Sequence, residues 1–387
     1  MAIKVIEKTV LGLPNPMINL LLKSEKNKIK AGMEFKDLKI GYVPIKTTLN
    51  HPGDQRRFCY YADKRKFNYE IADASETYDL VFLTQSADLS VWSEYQRGNC
   101  KIIYDFIDSY LSVPIWNIKG IFRGTAKYIG GQNRYLRLNH WKSLEAMCQR
   151  ADAVVCSTAE QKVDIQPFCP NVHLILDFHF NLMRTSKTDY FTGDTFNFVW
   201  EGLPGNLKFV FEIKEVLQLL SAKYKIAFHA VTDLTYGKYM GKYGIKSTLP
   251  LLKRIFNNSH LHEWNEKTFA SKVCSFDMAL IPIPLNKPFG LDNSLAVGKP
   301  ENKLLLFWRM GIPTVVSATA AYERAMNDCG LAMACRTSDE WFDTLEKYMN
   351  DESARREAGR EGKAFVDKHY SEDIMLSQWD KLFGSVL

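Results

Sequence analysis

Short, continuous apolar runs alternate with helix-type segments along two stretches of the chain. In the first stretch, residues 38–180, the runs are LKIGYVPI, YDLVFLT, KIIYDFI, ADAVVCST and NVHLILDF. After residue 195 they are FNFVW, KIAFHAV, DMALIPI and TVVS. Strands that are apolar at successive positions are buried on both faces, which is typical of parallel strands covered by helices. The pattern therefore predicts two α/β units, each built on a parallel sheet.

The boundaries of the two units follow from the segments between the apolar runs. Residues 181–194 are polar and have no periodicity, so we interpret them as a linker. A length of 387 residues suits two domains. We expect an N-terminal extension at 1–37, a first Rossmann-like domain at 38–182, a second at 195–370 and a closing helix within 371–387. The segment 337–350 has a capping box formed by Thr337 and Glu340.

The composition of the chain indicates which ligands and which cellular compartment to expect. The net charge of +6 is spread along the chain, which fits a phosphate-bearing ligand or an anionic membrane surface and does not favour nucleic acid. The eight cysteines include no C-x-x-C pair and indicate buried thiols in a reducing compartment. The N-terminal residues lack the apolar core of a signal peptide. We expect a cytoplasmic protein, and we keep open a peripheral contact with the inner face of the membrane.

Glycines follow the first strand of the second unit. The sequence FNFVWEGLPGNLK leads from a strand through Glu201, Gly202 and Gly205 towards Lys208 in a helix-type segment. Glycines let the backbone approach an anion, and a helix start offers free N–H groups. The segment is a candidate phosphate site, and the alternative is an ordinary strand–helix turn without a ligand.

A polar triplet precedes the helix-type run KLLLFWRM. It consists of Glu301, Asn302 and Lys303. The positive end of the helix dipole repels an ammonium group at the helix start. A bound diphosphate would attract both the ammonium group and the free N–H groups of the helix. The triplet therefore predicts a diphosphate site, in which Glu301 would accept hydrogen bonds from ribose or sugar hydroxyls.

The loop after the first strand, TTLNHPGDQRRF, also holds polar candidates. Arg56 and Arg57 are suited to bidentate contacts with a phosphate or an acidic sugar. His51 or Asp54 would orient a hydroxyl group of a bound ligand. The loop is long for a strand–helix connection, and long loops are often functional. A solvated loop without a ligand is the alternative.

Further candidates stand at strand ends and on one helix. Asp105 and Asp108 follow the third strand, and His140 lies on the helix before ADAVVCST. We expect Asp105 to face a cleft between the two units. The His260-x-His262 pair has no third ligand at metal spacing, so we interpret it as a plain loop and expect no metal site.

The second unit resembles the donor-binding domain of GT-B glycosyltransferases and is most similar to the retaining family called GT4. Gly202 and Lys208 have the spacing of that family's Gly and Lys, and SHLHEW precedes DMALIPI as a similar segment precedes the family's DIGLMPL-type strand. The run ENKLLLFWRMGIPTVV resembles the family's NKLLEYMALGxPVV segment, and YDFIDSY and ADAVVCST resemble parts of its N-terminal domain. The resemblance implies the GT-B fold, an α/β architecture of two Rossmann-like domains facing an interdomain cleft, with the last helix crossing back to the first domain.

The resemblance also implies an activity. A sugar would pass from a nucleotide sugar, such as a UDP- or GDP-sugar, to a hydroxyl of a glycan or glycolipid acceptor in bacterial surface polysaccharide synthesis. Anomeric configuration would be retained, and neither a metal nor another cofactor would be needed. The resemblance implies that Lys208 and Lys303 hold the donor diphosphate, and from the two motifs we add Gly202, Gly205 and Asn302 to this site. Those assigned to catalysis are His51, Asp54 and Glu301, and those assigned to acceptor or sugar are Arg56, Arg57, Asp105, His140 and Glu201.

The sequence departs from this family at two carboxylates. Leu306 and Gly298 stand where the family has its pair of glutamates, and Leu203 replaces an arginine. Glu301 and Glu201 are the candidates to replace the lost carboxylates. Two alternatives stay open: a non-catalytic sugar-nucleotide-binding partner, and another GT-B enzyme such as a sugar-nucleotide epimerase or a polyol-phosphate transferase.

Overall fold

The computed structural model describes residues 38–112, 118–237, 244–285, 295 and 297–387. The expected N-terminal extension lies outside these residues. The described strands are β1 Ile40–Val43, β2 Glu70–Ile71, β3 Leu80–Thr84, β4 Lys101–Asp105, β5 Ala153–Cys156, β6 Val172–Leu174, β7 Phe196–Glu201, β8 Ile226–Thr232, β9 Thr235–Gly237, β10 Ile245–Ser247, β11 Ser259–Glu263, β12 Met278–Ile281, β13 Thr314–Ser317 and β14 Ala334–Cys335.

The helices cover the faces of the sheets and the connections between strands. They are α1 Pro52–Gln55, α2 Phe58–Arg65, α3 Leu89–Trp92, α4 Ile118–Ile129, α5 His140–Arg150, α6 Ala159–Ile165, α7 Lys214–Lys223, α8 Leu249–Ile255, α9 Phe269–Cys274, α10 Asn302–Arg309, α11 Ala320–Cys329, α12 Ser338–Asn350, α13 Glu352–His369 and α14 Glu372–Gly384. Short 3₁₀ segments lie at Tyr110–Ser112, Phe180–Leu182 and Pro204–Ile213. Among the described residues, no helix has the length and apolar character needed to span a bilayer.

Each half of the chain forms a six-stranded sheet. The first has the order β2-β1-β3-β4-β5-β6 and the second has the order β11-β8-β7-β12-β13-β14. Every strand pair within these two sheets is parallel. The central strands β3, β5, β12 and β13 are buried along their whole length, because helices cover both sheet faces. The predicted pair of parallel sheets is confirmed.

Two local predictions differ from the structure. The helix expected from residue 206 begins as a 3₁₀ segment and becomes α-helical only at Lys214. Its first residues include Pro204, Gly205 and Asn206, which have low helix propensity. The plain loop expected at His260 and His262 is wrong, because both residues lie in β11, which pairs with β8. Backbone pairing at a sheet edge needs no apolar alternation, so the polar sequence concealed the strand.

The last helix, α14, packs on α2 in the first half. Asp380 accepts hydrogen bonds from Arg65 Nε and Nη2 at 2.8 and 2.6 Å, and Trp379 stacks on Tyr61 with a centroid distance of 5.3 Å. Trp379 is fully buried, and burial of a side chain of this size stabilises the fold by roughly 2–3 kcal/mol. The helix therefore ties the end of the chain to the first sheet.

Direct contacts also join the two halves next to the ends of their strands. Asn302 Oδ1 accepts a hydrogen bond from the Asp177 N–H at 3.1 Å, and the Gly298 carbonyl accepts one from Ser109 Oγ at 3.0 Å. Arg324 on α11 forms a surface ion pair of 2.6 Å with Glu160 on α6. These contacts place the polar loops that follow β4, β6 and β12 against each other.

Candidate functional site

A cavity of about 220 Å³ lies between the two halves, at the carboxyl ends of their strands. The first half contributes Asp108 after β4 and Asp177 after β6 to its lining. The second half contributes Trp200 from β7, Ile281 from β12 and Lys303 from α10. Ligands of open parallel sheets bind at this edge, because loops of neighbouring strands converge there. The cavity is smaller than common ligand sites, which have volumes of about 300–1,000 Å³.

Lys303 is held at the carboxyl end of β7. Its Nζ lies 3.2 Å from Glu201 Oε2, donates a hydrogen bond to the Glu201 carbonyl, and lies 5.5 Å from the Trp200 ring centroid. A Cβ added at Gly202 would lie 2.8 Å from the same Nζ. Glycine at position 202 therefore lets the Lys303 ammonium group approach the main chain. This contact joins the glycine-containing turn after β7 to the polar triplet that precedes α10.

The start of α10 faces the same cavity. Asn302 and Lys303 both line it, and the preceding residue, Glu301, makes no side-chain capping hydrogen bond in the described structure. The first N–H groups of a helix have no partners within the helix, and the helix dipole adds partial positive charge there. Lys303 and these N–H groups together form a site suited to an anion.

The charges around the cavity include a second ammonium group that the sequence reading missed. Lys299 lines the cavity together with Asp108 and Lys303. Burial lowers the pKa of Lys299, and the Asp108 carboxylate opposes that shift. Lys299 stands in the motif GKPENK, two residues before Glu301, so its position after β12 was a signal that could have been used.

Lys208 lies elsewhere. Its side chain is exposed and its Nζ lies 5.5 Å from the centroid of the Phe209 ring, and the lining of the cavity includes Phe209 and Asn206 but not Lys208. The 3₁₀ segment Pro204–Ile213 has three residues per turn, so it places Lys208 at a different angle from that expected for an α-helix. Gly205 has no atom within 4 Å of an added Cβ and is exposed.

Glu301 points into protein and does not line the cavity. It is only 5% exposed, and its Oε2 has no hydrogen-bond partner among the described residues. Burial raises the pKa of this carboxyl group. Contact with a ribose or sugar hydroxyl would require the Glu301 side chain to turn towards the cleft. Leu306, which stands where the GT4 segment that the sequence resembles has a glutamate, is part of the core.

Arg57 and Asp105 form a buried ion pair beneath the cleft. Arg57 Nε and Nη2 donate to the two Asp105 oxygens at 2.7 and 2.6 Å, and both side chains are at most 2% exposed. Arg57 Nη1 also donates to Asp177 Oδ1 at 2.9 Å and to the Ile175 carbonyl at 3.1 Å. The carboxylates raise the pKa of Arg57 despite its burial. This geometry favours a positioning role, in which Arg57 holds the loop that carries Asp177.

Asp54 organises the loop after β1. Its Oδ1 accepts hydrogen bonds from Tyr42 Oη at 2.6 Å and from the Ile45 N–H at 2.8 Å, and its Oδ2 accepts one from the Lys46 N–H at 3.1 Å. The side chain is fully buried. Asp54 thus closes the loop on itself, which favours a structural role over contact with an acceptor.

His51 lies at the N-terminus of α1 and is half-buried. Its Nδ1 accepts a hydrogen bond from the Gly53 N–H at 3.0 Å, which leaves the proton of the neutral ring on Nε2. Burial lowers the pKa of His51. The neighbouring Arg56 lies 5.8 Å from the Trp264 ring centroid, so its guanidinium group bridges the two halves of the molecule. Neither side chain lines the cavity.

His140 is buried at the start of α5. It is 3% exposed and makes an edge contact with Tyr110, whose ring centroid is 6.1 Å away. Burial lowers the pKa of His140 to about 3, and the nearby Lys127 and Arg123 lower it further. The ring is therefore neutral near pH 7 and packs within the protein.

Three histidines stack on the β8–β11 edge of the second sheet. His229 Nδ1 lies 2.9 Å from His262 Nε2, and the His229 and His260 rings stack with a centroid distance of 4.8 Å. His229 Nε2 contacts Asn197 Oδ1 at 3.1 Å. Across the described ranges, no group of three or more His, Cys, Asp or Glu side chains is arranged to hold a metal ion.

No protein-family model matches the sequence, and no curated protein is significantly similar to it. Solved structures are similar in fold. One is Anabaena HepE in complex with UDP, matched over 90% of this chain and 100% of that chain with 11% identity and a TM-score of 0.54. Another is TarM, matched over 79% of this chain and 54% of that chain with 12% identity and a TM-score of 0.54.

A mutant of S. aureus TarM in complex with fondaparinux, alpha-GlcNAc-glycerol and UDP matches with a TM-score of 0.53 at 12% identity. Its match covers 78% of this chain, and this chain spans about half the length of TarM. At such low identity these likenesses concern the fold. They confirm the expected architecture: the chain has the GT-B fold, with two Rossmann-like domains that face each other across the cavity described above.

Proposed function

We propose that the protein is a glycosyltransferase that moves a sugar from a nucleotide sugar to an acceptor hydroxyl. The observation that carries the proposal is the position of Lys303, at the start of α10 and at the carboxyl end of β7, inside the interdomain cavity. HepE and TarM, which share the fold, have both been crystallised with UDP. We propose a UDP- or GDP-sugar as the donor, bound mainly by the second domain.

The site suits the departure of a nucleoside diphosphate. In the proposed reaction, the bond between the anomeric carbon and the diphosphate oxygen breaks as the acceptor oxygen bonds to the same face of that carbon. The acceptor proton passes to the departing phosphate oxygen, so configuration is retained. Lys303, Lys299 and the N–H groups of α10 would stabilise the developing negative charge, and we propose no metal or other cofactor.

Glu201 sets a condition on donor binding. Its carboxylate already pairs with Lys303, and two further carboxylates, those of Asp108 and Asp177, line the cavity. A diphosphate therefore competes with Glu201 for the ammonium group of Lys303. We propose that the Glu201 carboxylate turns to hydroxyl groups of the ribose or the sugar when the diphosphate takes its place.

The first domain would hold the acceptor, a glycan or glycolipid. Of the residues expected there, His51 and Arg56 have groups that remain available, since the Nε2–H of His51 is a hydrogen-bond donor and Arg56 lies where the halves meet. We propose synthesis of a bacterial surface polysaccharide or glycoconjugate as the process, in the cytoplasm, with membership of the retaining GT4 group. These finer assignments rest on the sequence motifs described above.

A second candidate function follows from the absence of a carboxylate at position 306 and from the burial of Glu301. Leu306 occupies the position of a family glutamate in the core, and Glu301 faces away from the cavity. A chain that lost its sugar-binding carboxylates would bind a sugar nucleotide without transferring it. The alternative proposal is therefore a non-catalytic binding partner of a glycosylation system.

A thermal-shift screen across UDP, GDP and their sugars tests the proposal. Ligand at a hundred times its Kd stabilises the folded state by about 2.7 kcal/mol, which gives a clear shift in Tm. We expect a shift for one nucleotide series that is strongly reduced in Lys303→Ala and kept in Lys368→Ala, an exposed lysine on α13. Absence of any shift with the wild-type protein would contradict both candidate functions.

Incubation of the protein with the selected donor separates the two functions. Slow hydrolysis of the donor or transfer to added glycans supports the transferase. Binding of the donor with no release of nucleoside diphosphate, with or without acceptors, supports the binding partner.

A further inference from the structure

A second groove, of about 530 Å³, lies on the second domain, beside α7 and the loop that joins α8 to β11. Its lining includes Thr195, Lys225 and Asn258, which directly precede β7, β8 and β11. This α7 groove therefore opens at the amino ends of the strands, whereas the interdomain cavity lies at their carboxyl ends. The two ends of the six-residue strand β7 are about 15–20 Å apart, so the groove is a separate site.

Four cationic side chains line the α7 groove: Lys214, Lys225, Lys253 and Arg254. Among the described residues of this lining, none is Asp or Glu. The acidic residues that are close to it along the chain, but outside the lining, are Asp194, Glu212 and Glu215. Glu346 accepts a hydrogen bond from the lining residue Tyr224 at 3.1 Å, and it is already paired with Lys223 at 3.1 Å. The groove therefore has an excess of positive charge.

Two helix ends reduce this positive charge without cancelling it. The C-cap residues of α7 and α8, Tyr224 and Phe256, both line the groove. The carboxyl end of a helix carries about half a negative charge, so the two ends together offset about one of the four cations. Lys214 stands at the first position of α7, where the helix dipole disfavours a cation. Helix stabilisation therefore does not account for the charge of the groove.

The Phe211 ring brings two of the cations together. Lys214 Nζ lies 5.9 Å from the ring centroid, and the guanidinium carbon of Arg254 lies 6.0 Å from it. Both side chains belong to the lining of the groove. A lysine and an arginine placed in this way can pair with one phosphate group, since a guanidinium group donates two parallel hydrogen bonds to phosphate oxygens.

Hydrogen bonds hold the loop between α8 and β11 in place. Lys253 Nζ donates to the carbonyls of Asn257 and Ser259 at 2.9 and 2.7 Å, and Asn258 Nδ2 donates to the Ile226 carbonyl at 2.8 Å. An ammonium group has three donors, so Lys253 keeps one for a ligand. A loop that is ordered before binding loses less entropy when a ligand binds.

Neutral polar groups and apolar side chains complete the lining. Gln218 and Ser221 follow Lys214 at i+4 and i+7, so they share one face of α7. The lining also contains Asn257 and three buried apolar residues, Ile226, Ile255 and Phe256. Carboxamide and hydroxyl groups suit the hydroxyl groups of a sugar, and apolar side chains suit the C–H face of its ring.

We propose that the α7 groove binds a sugar phosphate. Its cations would hold the phosphate, while Gln218, Ser221 and Asn257 would form hydrogen bonds with the sugar. The volume of about 530 Å³ lies within the common range for ligand sites of about 300–1,000 Å³ and exceeds the space that a phosphate ion needs. The groove and the interdomain cavity have no lining residue in common, so the inference does not depend on the reaction proposed above.

Isothermal titration calorimetry of the full chain tests the inference. The probes are glucose 6-phosphate, glucose 1-phosphate and mannose 6-phosphate, and the comparison ligands are glucose and inorganic phosphate. We expect at least one sugar phosphate to bind about tenfold more tightly than either comparison ligand, with an affinity that decreases as salt is added. Lys214→Ala/Arg254→Ala removes two charge-assisted contacts and should decrease this affinity by about tenfold or more.

Two control variants locate the binding site. Lys267→Ala/Lys347→Ala removes two exposed lysines of the same domain that lie outside the groove, and it should bind the sugar phosphate as the wild type does. Lys303→Ala should also keep this affinity, because Lys303 lies in the interdomain cavity. Loss of binding in Lys303→Ala would place the ligand in that cavity and overturn the proposal.

Two results with the wild type would also overturn the proposal: no binding of any of the sugar phosphates, or equally tight binding of inorganic phosphate. The unfolding temperature without ligand shows whether Lys214→Ala/Arg254→Ala is folded. If that variant is destabilised, Gln218→Ala, a change at an exposed position of α7, replaces it. Its affinity for the sugar phosphate should decrease about threefold, and an unchanged affinity would contradict the assignment of the groove.

Discussion

The ammonium group of Lys303 lies 3.2 Å from Glu201 Oε2 and donates a hydrogen bond to the main-chain carbonyl of the same residue. The two residues are 102 positions apart in sequence. Their contact joins the end of β7 to the start of α10 at the interdomain cavity. The Lys303 ammonium group, which we propose binds the diphosphate, is thus already paired with the Glu201 carboxylate. The competition between this carboxylate and a diphosphate for Lys303 can be measured.

The first prediction concerns this balance. Glu201→Gln removes the competing negative charge and should increase affinity for a nucleoside diphosphate about three- to tenfold. Lys303→Ala removes a charge-assisted contact of about 1.5–3 kcal/mol and should decrease affinity about 10- to 100-fold. Isothermal titration calorimetry with UDP and GDP measures both effects. Weaker binding by Glu201→Gln would show that the carboxylate positions Lys303 rather than competing for it.

The second prediction compares two other lysines. Lys299 lines the cavity, whereas Lys208 is exposed outside its lining. Lys299→Ala should therefore decrease nucleoside diphosphate affinity about tenfold, and Lys208→Ala should decrease it less than threefold. The same calorimetric titration gives both values. A larger loss for Lys208→Ala would restore the assignment made from the Gly202–Lys208 spacing.

The third prediction concerns the buried Arg57–Asp105 pair. Asp105→Asn leaves a guanidinium group with less compensation in a buried site and should lower the free energy of unfolding by about 3–5 kcal/mol. Urea denaturation monitored by tryptophan fluorescence measures the change. The exposed pair of Lys363 and Asp367 on α13 provides the control, since Asp367→Asn should cost less than about 1 kcal/mol. Similar costs for the two variants would contradict the structural role of the buried pair.

The fourth prediction concerns pH. The pKa of His140 is about 3 in the folded protein, because burial disfavours the charged ring. The unfolded chain binds a proton near the ordinary histidine pKa of about 6.5, so it gains protons first as the pH falls. Stability should therefore decrease between about pH 6.5 and pH 3, and His140 should contribute about 3 kcal/mol of the loss by pH 4.5.

Urea denaturation of His140→Phe at pH 7 and pH 4.5 tests this contribution. The variant should lose less stability than the wild type over that interval. His369→Phe, a change at an exposed position on α13, serves as the control for a general effect of replacing a histidine. An unchanged pH dependence in His140→Phe would show that the buried ring is not the group responsible.

The sequence predicted the fold well because its main signals are local. Continuous apolar runs identified β3, β7, β12 and β13, and TVVS coincides with β13 at both ends. The sequence did not identify the polar strand β11, the short strands β2, β9, β10 and β14, or the 3₁₀ segment Pro204–Ile213. Pairing with β8 stabilises β11, and such a neighbour cannot be read from five residues.

The candidate site was predicted less completely. The head of α10, with Asn302 and Lys303, was located from its motif and lines the cavity. Lys299 was missed, although it stands four residues before Lys303. For Asp54 and Arg57, residue type and loop position suggested contact with an acceptor, but their hydrogen bonds are made within the first domain. A polar side chain in a loop after a strand either faces a ligand or holds the loop, and the sequence does not distinguish these roles.

The sequence alone determined the two parallel sheets, the positions of most elements and the polar helix start at Lys303, since hydrophobic periodicity and turn residues act over a few neighbouring positions. Only the tertiary structure decided which charges meet. It paired Lys303 with Glu201 and Arg57 with Asp105, buried Glu301 without a partner for Oε2, and placed Lys208 outside the cavity. The strength of an electrostatic contact depends on distance and burial, and for residues this far apart in the chain both are set by the packing of the domains.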